Sequence, residues 1–317
     1  MPLSIITNTF AGNPLNRASE RRGDEAWLAE KLADPESLAV ALWNGKPLVE
    51  DLLGEGGKPP ENGRGGVQIA YLRADLAQDL AGGGERLLFL GLWKDIAVFA
   101  VDIDTAADPA EGPLRGLGRF EELRGVAAAM PPADAGILAT AKSMFEWRRR
   151  HRWCGNCGQK SEVADGGWKR VCPACAAEHF PRTDPVVIML ALHEDKCLLG
   201  RQAAWPKGMF SALAGFLEPG ETIEEACARE LHEEAGLTAL AVRYHSSQPW
   251  PWPSSLMMGL MADVETADAA PDQTELEEVR WFSKDEAARL IKGELEGLFA
   301  PPPLAIAHQL IKSWAEE

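Results

Sequence analysis

Gly215-Phe216-Leu217-Glu218-Pro219-Gly220-Glu221, continued by Arg229-Glu230-Leu231-His232-Glu233-Glu234-Ala235-Gly236-Leu237, sets the reading of the whole chain. Pro219 and Gly220 mark a turn. Thr222, with Glu225 three residues on, forms a capping box and predicts a helix from that point. Gly236 stands where a C-cap glycine would end it. At about 100° per residue, Ile223, Cys227 and Leu231 make the apolar stripe of that helix. Glu234 falls inside the stripe, Glu230 lies at its edge, and Glu233 lies further out on the same side. Carboxylates at i, i+3 and i+4 converge on one face, and carboxylates turned inward are costly unless their charge is compensated. Hard cations such as Mg²⁺ or Mn²⁺ take oxygen ligands and bridge carboxylates to phosphate. Arg229, with Glu225 at i−4 and Glu233 at i+4, is placed to brace the cluster. A Glu-rich helix taken alone reads as a solvated face with ordinary salt bridges. The glycines, Arg229 and the inward placement together turn the reading to catalysis.

The length of 317 residues is enough for two domains or three modules with ample core. A net charge of −16 makes the chain a poor non-specific nucleic-acid clamp. The charge is uneven, however: residues 142–182 carry nine Lys or Arg against four acids. That basic island either meets phosphate or salt-bridges to the acidic body. No apolar run is long enough to span a membrane. The N-terminus has no basic region followed by a long apolar core, so no signal peptide is expected and the expected location is cytoplasmic.

Residues 1–140 read as a mixed α/β domain. Strand-like residues run from Leu38 to Val49, and Leu87–Leu92 with Ile96–Val101 reads as a hairpin. Residues 106–118 read as a loop, and 120–129 and 134–150 as helices. A cysteine module follows at 151–180, then a domain at 181–317. The latter opens on the buried strand 186–192 and has further strands at 256–264 and 279–282. Ser283 with Glu286 is a second capping box, and Ile306, Leu310 and Trp314 mark a terminal helix. In the module, Cys154-Gly-Asn-Cys157 and Cys172-Pro-Ala-Cys175 are separated by fourteen residues, a tetrahedral Zn²⁺ spacing. A disulfide pair lacks a secretory context, and a redox motif does not explain two copies. Four thiolates close the coordination sphere, so this zinc is expected to be structural. Gly155 and Gly158 are expected to relax the first knuckle, and Cys197 and Cys227 to be small buried hydrophobes.

Ser247-Gln248-Pro249-Trp250-Pro251-Trp252-Pro253-Ser254-Ser255 follows the glutamate helix. A Pro-aromatic alternation displays two indoles with little entropy to lose. It either stacks on a base or nicotinamide ring, or packs as a structural proline-rich loop.

The glutamate stretch resembles the Nudix box, GX5EX7REUXEEXGU with U a bulky aliphatic residue, at every defining position. Together with the four-cysteine ribbon, His179-Phe180-Pro181-Arg182-Thr183-Asp184-Pro185 and the Gln248–Ser255 segment, it is similar to the NADH pyrophosphatase (NudC) branch of the Nudix hydrolases. The resemblance implies an α/β fold: a Nudix α/β/α sandwich preceded by a zinc ribbon and a mixed α/β N-terminal domain. It implies cleavage of the pyrophosphate of NADH or NAD⁺ to nicotinamide mononucleotide and AMP, with removal of NAD caps from RNA as a second activity. Glu230, Glu233, Glu234 and Glu275, with the carbonyl of Ala214, would hold Mg²⁺ or Mn²⁺, and Glu275 would be a ligand or the base. Arg229 would orient the glutamates. Gln248, Pro249, Trp250, Pro251, Trp252, Pro253, Ser254 and Ser255 would line the dinucleotide, Phe180 and Phe216 would sandwich a ring, and Ala307 would touch substrate. A homodimer is also implied. Phe180 stands where tyrosine is usual, Trp252 where phenylalanine is usual, and Gly167 where some relatives carry a carboxylate. The alternatives are a Nudix hydrolase of other dinucleotides, such as ADP-ribose or diadenosine compounds, and a zinc-ribbon nucleic-acid-binding protein.

Overall fold

The computed structural model describes residues 8–52 and 66–317. The chain divides into two compact units, one of residues 10–183 and 250–254, the other containing 184–249 and 255–317 with residues 8–9.

In the first unit the elements run α1 (Glu25–Ala33), β1 (Leu38–Trp43), β2 (Lys46–Asp51), β3 (Val67–Ile69), β4 (Leu72–Arg73), α2 (Ala74–Ala81), β5 (Leu87–Trp93), β6 (Ile96–Ile103), β7 (Arg119–Phe120), α3 (Leu123–Val126) and α4 (Pro132–Arg150). The main path of the sheet is β3-β2-β1-β6-β5, with β4 on β1 and β7 on β2. β1 and β6 are parallel, from Leu38↔Val98 to Trp43↔Ile103. The expected hairpin is β5–β6, turning at Lys94 with φ 57°. The helix expected over 120–129 is shortened: Phe120 pairs with Leu48 as a strand, and only Leu123–Val126 is α-helical before a 3-10 turn. The ribbon completes this unit with β8 (Glu162–Ala164), β9 (Lys169–Val171) and β10 (Glu178–His179).

The second unit holds β11 (Asp184–His193), β12 (Lys196–Arg201), β13 (Leu213–Phe216), α5 (Ile223–Ala235), β14 (Ala239–Trp250), β15 (Ser255–Val264), β16 (Glu278–Ser283), α6 (Lys284–Lys292) and α7 (Ile306–Glu316). Its sheet runs β14-β15-β11-β12-β16, with β13 paired to β11. Side chains alternate across a strand, so β11 feeds two cores. Val187, Met189 and Ala191 pack with Cys227 and Leu231 of α5. Ile188, Leu190 and Leu192 pack with Leu290 of α6 and Leu310 and Trp314 of α7. That is the α/β/α sandwich. Both predicted capping boxes are present, on α5 and α6. Cys197 and Cys227 are fully buried, as expected, and burial pushes both thiols up to about 12.

One expectation is corrected here. Ser247 to Trp250 is not loop but the end of the twelve-residue strand β14, and the turn is confined to residues 251–254. Gln248 accordingly points into the core at 1% exposure. Its amide nitrogen donates to the carbonyls of Leu304 (2.7 Å) and Thr9 (3.0 Å), and its oxygen accepts from Ile306 N–H (2.8 Å). It thereby satisfies a backbone donor at the start of α7. Gln248→Ala strands those buried groups, and we expect a loss of about 2–3 kcal/mol, measured by urea unfolding.

Candidate active site and zinc centre

The path into α5 is set by local rules. β13 runs into the Pro219-Gly220 turn, where Gly220 has φ 101°. Thr222 Oγ1 then accepts from Glu225 N–H at 3.2 Å, and the Glu225 carboxylate accepts from Thr222 N–H at 2.8 Å. Gly236, at φ 68°, closes the helix. Between these ends the inward face carries Ala226, Cys227, Glu230, Leu231, Glu234 and Ala235. Glu233 points outward, its side chain 57% exposed.

Arg229 is the hub. Its Nε and Nη2 grip both oxygens of Glu221 (2.6 and 2.9 Å), Nη1 reaches Glu230 (2.8 Å) and Glu233 (2.9 Å), and Nη2 also donates to the Phe216 carbonyl (2.9 Å). Of the two glutamates flanking Arg229 at i−4 and i+4, Glu233 is bonded to it, whereas Glu225 is occupied by the helix cap. Glu221, a defining position whose role the spacing alone did not indicate, takes its place. The guanidinium holds the Glu221 carboxyl down to about 2. Gly215 has a separate reason to be glycine: a Cβ there would lie 1.9 Å from the Glu230 carboxyl carbon. The side chain of Glu230 occupies the space that any other residue at 215 would need.

Glu234 is 3% exposed, and its Oε2 has no hydrogen-bond partner. Burial, with Glu230, Glu275, Asp272 and Glu233 nearby, pushes its carboxyl up to about 8. Burial also raises Glu230, against the pull of Arg229. Glu275 sits in a turn tied to α5: Asp272 N–H donates to the Glu234 carbonyl (3.1 Å), and the Asp272 carboxylate accepts from the backbone of Glu275 (3.0 Å) and Leu276 (2.9 Å). Ala214 lies in β13 opposite Ile188. A buried carboxylate oxygen without a donor, among like charges, is what a hard divalent cation neutralises. The oxygen donor set fits such an ion. Among the described residues only the cysteines already bring three or more ligand atoms within 4.8 Å of one another.

Those cysteines are Cys154, Cys157, Cys172 and Cys175. The Cys154–Cys175 and Cys157–Cys172 sulfurs are 3.6 and 3.4 Å apart. A tetrahedron with Zn–S of about 2.3 Å needs sulfurs roughly 3.8 Å apart, so the cage fits zinc with small adjustment. The two knuckles repeat one pattern: Gly158 N–H to the Cys154 carbonyl and Ala176 N–H to that of Cys172, both 2.8 Å. The left-handed residue is the one after each second cysteine, Gly158 (φ 74°) and Ala176 (φ 58°). Gly155, expected to relax the turn, is not left-handed.

In the ribbon-bearing unit, Trp250 and Trp252 stand 4.9 Å apart between ring centroids. Phe10 meets both edge-on at 5.9 and 5.4 Å, and the Arg124 guanidinium lies 5.3 and 4.5 Å from their centroids. Neither contact was foreseen; Phe10 and Arg124 are far from the loop in sequence. Pro251 is buried, Pro253 half-buried, and Ser254 Oγ donates to the Arg182 carbonyl at 2.9 Å. Phe180 is 64% exposed. In the other unit Phe216 is 62% exposed, Pro249 is half-buried, and Ser255 and Ala307 are buried.

Three family profiles match in chain order: an NADH pyrophosphatase-like rudimentary NUDIX domain over residues 36–147, an NADH pyrophosphatase zinc ribbon domain over 149–180, and a NUDIX domain over 182–299. The chain belongs to the Nudix hydrolases. It is 37% identical to human NAD-capped RNA hydrolase NUDT12 over 349 residues, spanning 97% of this chain and 73% of that protein. Its identity to human NAD(P)H pyrophosphatase NUDT13, mitochondrial, is 42% over 217 residues, covering 63% of this chain and 60% of the relative. With NAD-capped RNA hydrolase NudC of Mycobacterium bovis it is 41% over 204 residues, covering 61% and 64%. Within the Nudix hydrolases its branch is the NADH pyrophosphatase, or NudC, branch.

The Glu234 carboxyl is raised on folding from an ordinary 4.5 to about 8, so the folded state holds a proton that the unfolded chain has released. The metal-free fold therefore loses stability as pH rises through that window. We expect Tm in divalent-free buffer to fall between about pH 5 and pH 8, Glu234→Gln to flatten the fall, and Mg²⁺ to offset it. A Tm that rises over this range, unchanged in the variant, contradicts the assignment. Elemental analysis should find one Zn²⁺ per chain, and a strong chelator should lower Tm. Protein free of zinc, with all four thiols oxidised, is the opposing result.

Proposed function

We propose that this protein hydrolyses the pyrophosphate bond of NAD(H) to nicotinamide mononucleotide and AMP, and that it removes NAD caps from RNA by cutting the same bond. The observation that carries this is Glu234: a buried carboxylate with an unpartnered oxygen, on a helix whose neighbouring glutamates are held by Arg229. Three of the matched relatives are named NAD-capped RNA hydrolase or NAD(P)H pyrophosphatase. In our reading Glu230, Glu233, Glu234 and Glu275, with the Ala214 carbonyl, hold Mg²⁺ or Mn²⁺. Such ions, when bound, activate water and neutralise charge on the bridging phosphate oxygens. Arg229 fixes the carboxylates of Glu230 and Glu233, and the missing side chain at Gly215 makes room for the Glu230 carboxyl. Glu275 is a ligand or accepts the proton of the attacking water. Phe180, Phe216 and the segment 249–255 grip the dinucleotide, and Ala307 lies along it, with Gln248 shaping the strand from beneath. We further propose a cytoplasmic homodimer and the three-part division 1–140, 151–180 and 181–317. No helix among the described residues is long and apolar enough to cross a membrane.

A second reading has one observation in its favour. Trp250 and Trp252 are packed on Phe10 and Arg124, as a structural loop would be. In that case the loop does not read nicotinamide, and ADP-ribose or diadenosine compounds are equal substrates. Product analysis with NADH, NAD⁺, ADP-ribose and NAD-capped RNA at matched concentration separates the two. We expect Glu234→Gln to lower turnover at least ~100-fold on all of them. Trp252→Ala and Phe180→Ala should weaken NADH cleavage about 10-fold, the worth of one stacked ring, and ADP-ribose cleavage much less. Equal losses on both substrates favour the second reading.

A further inference from the structure

A cavity of about 690 Å³ lies wholly within the unit formed by the N-terminal sheet and the ribbon, and none of the residues assigned to catalysis lines it. Asn44 and Asp102 reach it from the carboxyl ends of the parallel strands β1 and β6. Carboxyl ends of parallel strands are where open α/β sheets take ligands. Lys142, Phe145 and Arg148 come from α4, and Arg152, Lys160 and Arg170 from the ribbon and its approach. The volume lies within the range of small-molecule sites, about 300–1,000 Å³.

Much of the negative charge at its wall is already spent. Asp104 pairs with Arg86, and Glu146 pairs with Arg149 at 2.7 Å. Arg170 likewise pairs with Glu85, but Lys142, Arg148, Arg152 and Lys160 make no ion pair among the described residues. Arg148 is 4% exposed, yet it donates only to backbone carbonyls, among them Leu87 at 2.7 Å, and its Nε has no partner. Burial pulls its pKa down to about 10. Lys142 reaches the Gly45 carbonyl at 3.2 Å. The side chains of Arg152 and Lys160 have no ion pair or hydrogen bond among the described residues. A buried, under-bonded guanidinium beside two free cations calls for an anion with several acceptor oxygens. Asp102 and Asn44, which also line the cleft, suit hydroxyl or amine donors.

We propose that this cleft is a second ligand site, taking a phosphate ester of nucleotide size. The phosphoryl oxygens meet Arg148, Arg152 and Lys160, and the hydroxyl-bearing part faces Asp102 and Asn44. The proposal does not rest on the catalytic reading. The test is calorimetric titration of the zinc-loaded full chain with AMP in divalent-free buffer. It compares wild type, Arg152→Glu/Lys160→Glu and Glu234→Gln. We expect the double variant to weaken or abolish one AMP-binding event by about 10-fold or more, the loss of a charge-assisted contact. Glu234→Gln should retain that event, and inorganic phosphate should compete for it. Identical AMP titrations in wild type and double variant, or no AMP binding at millimolar concentration, overturn the proposal. So does a 5′-hydroxyl oligoribonucleotide that alone depends on the two cations, because the cleft would then read chain phosphates. Should the double reversal lower Tm, Arg152→Gln/Lys160→Gln is read in the same way.

Discussion

Glu234 lies buried on the same helical face as Cys227 and Leu231, with no cation of the protein to answer its negative charge among the described residues. An ionised carboxylate in that position is expensive without a partner. The fold supplies none: the Oε2 atom is unbonded, and Glu230, Glu275 and Asp272 add repulsion. Arg229 pairs with Glu221, Glu230 and Glu233 but does not bond Glu234. The arrangement is stable in the protonated form or with a bound cation, and a site held in that state is ready for a metal.

The two units repeat one connectivity and differ in what their helices bury. In each, a hairpin opens the sheet (β1–β2, β11–β12) and its first strand pairs in parallel with a later one (β6, β15). In each, that first strand also takes an antiparallel partner (β4, β13), and a helix follows (α2, α5). The buried residues of α2 are Ala74, Ala77 and Ala81, all small and apolar; those of α5 include Glu230 and Glu234. Small apolar residues make α2 a packing element. This is the physical content of a rudimentary NUDIX domain: the framework without the buried charge.

Much of this was legible in the sequence, because the signals are local. Capping boxes, a C-cap glycine, a helical period and two CxxC pairs each depend on residues a few positions apart, and the structure contains all of them. The alternation of β11 between two cores is a property of strand geometry and could be read from its continuous apolar run.

What only the tertiary structure decided concerns partners distant along the chain. Spacing sets Glu225 at i−4 from Arg229 and gives no role to Glu221; the cap claims Glu225, and the turn at Gly220 brings Glu221 to the guanidinium. Nothing local in the sequence says why position 215 is glycine; the Glu230 carboxyl lying against it does. The proline-aromatic stretch reads as one loop, yet pairing extends β14 to Trp250 and buries Gln248 under α7. Phe10 and Arg124 carry no pattern that links them to the indoles they pack on. Sequence determines helices, turns and metal knuckles because those are short-range balances of hydrogen bonding and backbone strain. Which charge meets which, and which side chain loses its solvent, is settled only when segments far apart in the chain compete for the same space.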